Sequence, residues 1–197
     1  MRKTEEFAIS FESNEYSAKT KKNVWEIVYE WLDSLIYAVI LILLIFTFIF
    51  RVVGVSGNSM NPTLSNGDWL TVSAVPGEIE SGDIVVVTQP NSLNEPLIKR
   101  VIAKGGDTIN IDFIEGTVTV NGVVLYEPYI AEQTERMGDF VYPLTVPEGC
   151  LFVMGDNRND SLDSRFRTVG FIDERYVLGV AQIRLFPFGD WKISNDE

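Results

Sequence analysis

GTVTVNGVVL, residues 116–125, decides the fold class of most of this chain. Valine and threonine alternate through TVTV, the period of a strand with two unlike faces. Asn121-Gly122 then separates that run from VVL. An Asn-Gly pair between two β-forming runs predicts a type I′ hairpin, because both central residues of that turn need positive φ. Glu115-Gly116 marks a second turn on the upstream side. The same pattern recurs outward in both directions. GDWLTVSAV (67–75), GDIVVVTQ (82–89), TINIDF (108–113), GCLFVMGD (149–156) and YVLGVAQIRLF (176–186) are short runs of Val, Ile, Thr and aromatics bounded by Gly, Pro, Asn and Asp. None of them keeps a 3.6-residue apolar period. Residues 54–197 are therefore expected to form a mostly β domain of antiparallel sheets or a barrel-like assembly, with loops at 89–97 and 127–144.

The N-terminal part reads differently. LIYAVILILLIFTFIF, residues 35–50, is an uncharged run of 16 residues. At about 1.5 Å per residue it makes about 24 Å of helix, slightly short of a hydrocarbon core of about 30 Å. Asp33 and Ser34 in the interface, a snorkelling Arg51, and Val52, Val53 and Val55 extending the apolar face are expected to close that gap. Asn23 with Glu26 has the spacing of a capping box, so residues 23–53 are expected to hold an amphipathic lead-in and one transmembrane helix. Residues 1–22 are polar and aperiodic, as expected of a loose tail. Lys19, Lys21 and Lys22 precede the run and only Arg51 follows closely, which predicts a cytoplasmic N-terminus and an extracytoplasmic domain. The exit RVVGVSGNSM carries no A-x-A cleavage site, so the helix is expected to be a retained anchor in a lipid bilayer.

Composition removes whole classes of chemistry. The chain of 197 residues has 16 Lys+Arg, 28 Asp+Glu, one cysteine and no histidine. Without histidine there is no Ser-His-Asp or Cys-His system and no imidazole metal ligand. A single cysteine makes no intrachain disulfide and no Cys-rich zinc site. The net charge of −12 disfavours nucleic acid as a partner. Any general base must be Lys, Asp, Glu or Tyr.

Three clusters carry the remaining chemistry. GVSGNSMNPTL (54–64) places Ser59 among small residues that permit close backbone approach, as an oxyanion site requires. LIKRVIAKGGD (97–107) buries Lys99 in a β-like apolar run. Burial and the neighbouring Arg100 are both expected to lower its pKa and make it a usable base. GDNRNDSLDSRFRTVG (155–170) is dense in Asn, Asp and Arg. Its acids lack the order of a calcium loop and no helix pattern flanks it, so a turn-rich loop with internal ion pairs is expected and no metal.

In this order behind an anchor, the clusters resemble the bacterial type I signal peptidases, the membrane-bound Ser-Lys leader peptidases, in their compact Gram-positive form. SGNSMNPTL (56–64) is similar to the family's nucleophile box, GDIVVV (82–87) to its following strand, IKRVIAKGGD (98–107) to its lysine box and GDNRNDSLDSR (155–165) to its last box. The resemblance implies a membrane-anchored serine endopeptidase that removes N-terminal signal peptides from exported preproteins after small residues, at A-x-A sites, with no cofactor. It implies Ser59 as nucleophile, Lys99 as general base, and Ser161 as the hydroxyl that orients the lysine amine. Asp163 and Arg165 correspond to a structural ion pair near the site, with Arg100 as a further member. Val55, Met60, Leu64 and Ile98 correspond to the lining of a small apolar substrate pocket. Gly57 stands where some relatives have a second, serine oxyanion donor, and Asn159-Asp160 reverses the order found in many relatives, a change expected to be harmless. A related reading is a Ser-Lys peptidase fold specialised for pilin processing or pilus assembly. A self-cleaving Ser-Lys repressor is disfavoured by the anchor and the acidic balance.

Overall fold

The structure is a computed structural model that describes residues 23–48, 50–73, 77–88, 95–189, 191 and 193. The expected cytosolic tail and most of the 89–97 loop lie outside these residues. Contacts divide the chain into two units, with the boundary between Leu44 and Ile45.

Helix α1 spans Val24–Phe48. Its 25 residues extend about 37 Å at about 1.5 Å each. The Asn23 N–H donates to Glu26 Oε2 at 3.2 Å, one half of the expected capping box, while the Glu26 N–H donates to the Asn23 backbone carbonyl in place of its side chain. Side chains from Val24 to Leu44 are exposed all round. Val24–Ile45 has a mean hydropathy of 2.0, so the helix is long and apolar enough to cross a membrane.

The helix stops sooner than expected. Val52, Val53 and Val55 do not prolong it, because Phe50–Gly54 forms strand β1. A short apolar run fits helix or strand equally well, and here an available partner edge decides. The partner is β2 (Trp69–Ser73), paired from Phe50↔Ser73 to Gly54↔Trp69.

The remaining strands are β3 (Ile84–Val87), β4 (Leu97–Lys104), β5 (Thr108–Asp112), β6 (Thr117–Val120), β7 (Val123–Val124), β8 (Leu144–Thr145), β9 (Cys150–Met154), β10 (Ile172–Asp173) and β11 (Val177–Phe186). Every pairing is antiparallel. A seven-stranded sheet has the order β1-β2-β11-β3-β4-β9-β10, and a four-stranded sheet the order β7-β6-β5-β8. The hairpin read from Asn121-Gly122 joins β6 to β7, with φ of 51° and 81° at the two turn residues. The Glu115-Gly116 turn joins β5 to β6, and Asp112 Oδ1 closes it by accepting the N–H groups of Ile114 and Glu115.

One core cluster ties the two sheets together. Ile102, Ala103, Phe152 and Met154 from the large sheet pack against Ile109, Ile111 and Val118 from the small one. A second cluster forms around Val85, Val87, Val101, Leu151 and Val153. Strand β4 runs between the two clusters, which makes it a rigid carrier for anything mounted on it. It pairs with β3 over Leu97–Arg100 but with β9 only over Arg100–Lys104. Residues 97–99 thus keep an edge that no described strand covers.

Candidate active site

Ser59 lies in the loop between β1 and β2. That loop is closed at its neck, where the Val55 N–H donates to the Asp68 carbonyl and the Gly67 N–H to the Val55 carbonyl. The last box holds it from the far side. Asn157 donates its backbone N–H to the Ser59 carbonyl at 3.0 Å and its side-chain amide to the Asn58 carbonyl at 3.1 Å. Gly57 has φ +89°, a conformation most side chains resist, with no atom within 4 Å of the position a Cβ would take. Its N–H donates to Asn66 Oδ1 at 2.9 Å. That amide is therefore engaged already and does not replace the serine donor that some relatives place at this position.

Lys99 approaches from β4. Its Nζ lies 2.7 Å from Ser59 Oγ and donates to the Ile98 carbonyl at 3.0 Å. The lysine is 3% exposed. Burial pushes its pKa from 10.5 down to about 8, against the upward pull of the Asp163 and Asp156 carboxylates and with a smaller downward push from Arg165. Arg100 is not among the causes, contrary to the expectation from its adjacency. Neighbouring strand residues point to opposite faces, and the Arg100 charge is neutralised elsewhere. At a pKa near 8 a useful fraction of the amine is neutral at physiological pH. A neutral amine at this distance has a lone pair for the serine proton.

A groove of about 370 Å³ contains both groups. Val53, Val55, Met60, Val86, Leu97 and Ile98 are its apolar lining. Of the four expected pocket residues, Val55, Met60 and Ile98 are present and Leu64 is not. The turn in which Leu64 donates its N–H to the Met60 carbonyl directs that side chain inward. There it is fully buried in one cluster with Val55, Met60, Leu70, Ile84 and Ile193, beneath the groove surface.

The ionic framework also differs in part from expectation. Asp163 and Arg165 pair as expected, at 2.8 and 2.9 Å, and both are fully buried. Arg100 does not join them. It binds Asp156 through two hydrogen bonds of 2.8 and 2.7 Å. Asp156 Oδ2 also accepts the Thr63 hydroxyl at 2.5 Å, which fastens the serine loop to the last box. Both carboxylates are thus occupied by guanidinium groups. The hydrogen bond expected from Ser161 to the lysine amine is not formed. Ser161 Oγ is buried without a hydrogen-bond partner and lies over Gly155, beside the Ser59 carbonyl.

Two elements of the framework were not foreseen. Arg158, 1% exposed, donates to both oxygens of Glu127 at 2.9 and 2.5 Å and to Thr134 Oγ1 at 2.9 Å. The Arg100 guanidinium stacks 3.9 Å over the Tyr129 ring. No count of charges announced these contacts, since the last box holds three aspartates for two arginines, and only the fold sends Arg158 to a carboxylate outside the box. Asn159 is not an inert exchange either. Its Oδ1 accepts the N–H groups of Glu135 and Arg136, and its Nδ2 donates to Glu132 Oε2 and the Gln133 carbonyl, all at 3.1 Å. An aspartate there would lose both donated bonds.

The Gly57 contact yields a prediction. Asn66→Ala removes the acceptor that holds Gly57, a loss of about 1 kcal/mol or a few-fold. Turnover on a peptide substrate should fall by that amount with KM nearly unchanged, while Asn66→Asp, which keeps the acceptor, should stay close to wild type. Equal losses in both variants would show that the contact does not set the loop.

Comparison with known proteins shows the family. The family model described as signal peptidase, peptidase S26, matches residues 28–186. A signal peptidase I of Bacillus licheniformis is 40% identical over 188 residues, covering 89% of this chain and 96% of the relative. Signal peptidase I T of Bacillus subtilis (strain 168) is 36% identical over 192 residues, covering 92% and 97%. Among solved structures, a signal peptidase I from Enterococcus faecalis V583 matches with a TM-score of 0.44 at 33% identity, covering 54% of this chain and 98% of that one.

Proposed function

Because the chain belongs to the signal peptidase family, peptidase S26, we propose that it is a membrane-anchored Ser-Lys endopeptidase that removes signal peptides from exported preproteins after small residues. The observation that carries this reading is the 2.7 Å approach of Lys99 Nζ to Ser59 Oγ at the wall of an apolar groove.

The chemistry follows from that pair. Neutral Lys99 takes the Ser59 hydroxyl proton as Oγ attacks the carbonyl of the residue before the cut. The resulting oxyanion is held by backbone N–H groups, that of Ser59 among them. The lysine ammonium returns the proton to the leaving amine, the C–N bond breaks, and an acyl-enzyme remains. The amine then takes a proton from water, hydroxide adds to the ester carbonyl, and Ser59 leaves with that proton restored. The uncovered edge at residues 97–99 supports binding of the client as an extended strand. Val55, Met60 and Ile98 give the groove an apolar lining suited to a small apolar side chain.

The lipid bilayer is the second partner. With Lys19, Lys21 and Lys22 ahead of the helix, we place the N-terminus in the cytoplasm and the β domain outside. Anchoring brings enzyme and client into one plane and raises their effective concentration. Val52, Trp69, Ile183 and Phe186 lie on one face across β1, β2 and β11, all of them between two-fifths and about half exposed. Phe188, just beyond, is 79% exposed. Such a face supports contact of the domain with the interfacial zone.

The test is a preprotein carrying an A-x-A site, cleaved by the full-length protein in detergent or vesicles, with the new N-terminus identified by mass spectrometry. Cleavage after the second Ala is expected. Replacing that Ala by Leu should slow cleavage about tenfold or more, the discrimination that a site fitted to a small side chain gives against added methylenes. Equal rates for Ala and Leu would overturn the specificity.

A further inference from the structure

Two charged residues line the groove that holds Ser59. One is Lys99, which is buried against the serine. The other is Glu95, which is exposed. No ion pair among the described residues takes up the Glu95 carboxylate. The chain bends at Glu95, and Pro96 joins it to the start of β4 at Leu97, so Glu95 stands at the outer end of the wall that β4 forms. Glu95 precedes Lys99 by four positions. At about 3.3 Å per extended residue, that separates the two by at most about 13 Å. A client strand lying in the same groove has the same rise, so one of its residues about four from the scissile bond comes beside Glu95. Between these two points the wall is Leu97, Ile98, Val86 and Val53. An apolar wall screens a charge less than open water does.

Resting on the peptidase reading, we infer that Glu95 is a specificity-determining residue that favours clients with a lysine or arginine about four residues before the cut and disfavours aspartate or glutamate there. The acyl half of the client occupies this groove, since the small residues before the cut need its apolar lining. Glu95 acts on binding and not on the reacting atoms. The effect differs from the general field of the domain, whose charge from Val52 onward is −11, from 10 Lys+Arg against 21 Asp+Glu. That field disfavours acidic clients at every position, whereas Glu95 acts at one.

The experiment uses the full-length protein and one A-x-A peptide in three forms, with Lys, Gln or Glu placed in turn at each of positions three to six before the cut. The readout is the ratio of kcat/KM for the Lys and Glu forms in wild type, Glu95→Gln and Glu95→Lys. Exposed charge pairs of this kind shift equilibria about two- to fivefold. The wild-type ratio should peak at one position by about that factor, lose its peak in Glu95→Gln and invert there in Glu95→Lys. Raising the salt concentration should flatten all three profiles. A ratio unchanged among the three enzymes at every position would overturn the inference while leaving the peptidase reading intact. Failure of the wild type to cleave even the Gln form would overturn both.

Discussion

Lys99→Met is expected to lower kcat by about a thousandfold, within the range that loss of a positioned general base produces. KM should change little, because the side chain faces Ser59 and not the length of the groove. Lys99→Arg should be equally inactive, since a guanidinium has no free lone pair at any working pH. Wild-type activity should rise with pH about tenfold per unit below the lysine's pKa of about 8 and level off above it. The same proton predicts the stability. The folded chain releases it near pH 8, whereas the unfolded chain holds it to about 10.5. Between those values the unfolded state binds more protons, so stability rises with pH across that window. Below it the folded site carries the whole cost of a buried ammonium, about 3 kcal/mol at 1.36 kcal/mol per pKa unit. Lys99→Met should therefore be more stable than wild type at pH 7, with the gain shrinking toward pH 10.5. Activity and melting temperature measured across pH 6 to 10 check both halves. A flat activity profile, or a methionine variant with near-normal turnover, would show that another group takes the serine proton.

Not every part of this site could be read from the sequence. The Asn121-Gly122 hairpin was legible because turn geometry is local and only a few residue types tolerate it. Ser59 and Lys99 were legible only jointly. A serine in a glycine-rich turn and a lysine in an apolar strand are each ordinary, and their order with the third cluster gave them meaning. Strand β1 was misread because RVVGV next to a long apolar helix satisfies either period, and its pairing with β2 is not local. The partner of Arg100 was misread for a similar reason, since Asp156 and Asp163 stand in one box and only the fold decides which guanidinium meets which carboxylate. Strand alternation could have separated Arg100 from Lys99 beforehand. Glu127 and Tyr129 lie in a segment with no periodicity, so their docking on Arg158 and Arg100 had no local signal. Leu64 shows the limit of transferring a pocket residue by residue, because it packs in one buried cluster with Val55 and Met60 without reaching the groove surface.

Gly155→Ala is expected to lower kcat/KM about a hundredfold with the fold retained. Gly155 directly follows β9, at the point where the framework meets the serine loop. Its N–H donates to Asp163 Oδ2 at 3.0 Å, and its carbonyl accepts from Arg158 Nε at 3.1 Å. A Cβ built there runs into Ser161 Oγ and the Ser59 carbonyl, and comes within 2.6 Å of Ser161 Cβ. Relief requires a shift of about 1 Å, and a misplacement of that size at reacting groups costs about a hundredfold. The accompanying strain should destabilise the fold by about 1–3 kcal/mol, the usual range for one methyl forced into a packed interior. A second substitution separates the two effects. Ser161→Gly on the Gly155→Ala background removes the Ser161 side chain from the clash but leaves the Ser59 carbonyl in place. The double variant should regain much of the lost melting temperature and little of the lost turnover. If Gly155→Ala folded and turned over at nearly the wild-type rate, the serine loop would have to be compliant, and its position could not depend on close contact with the last box.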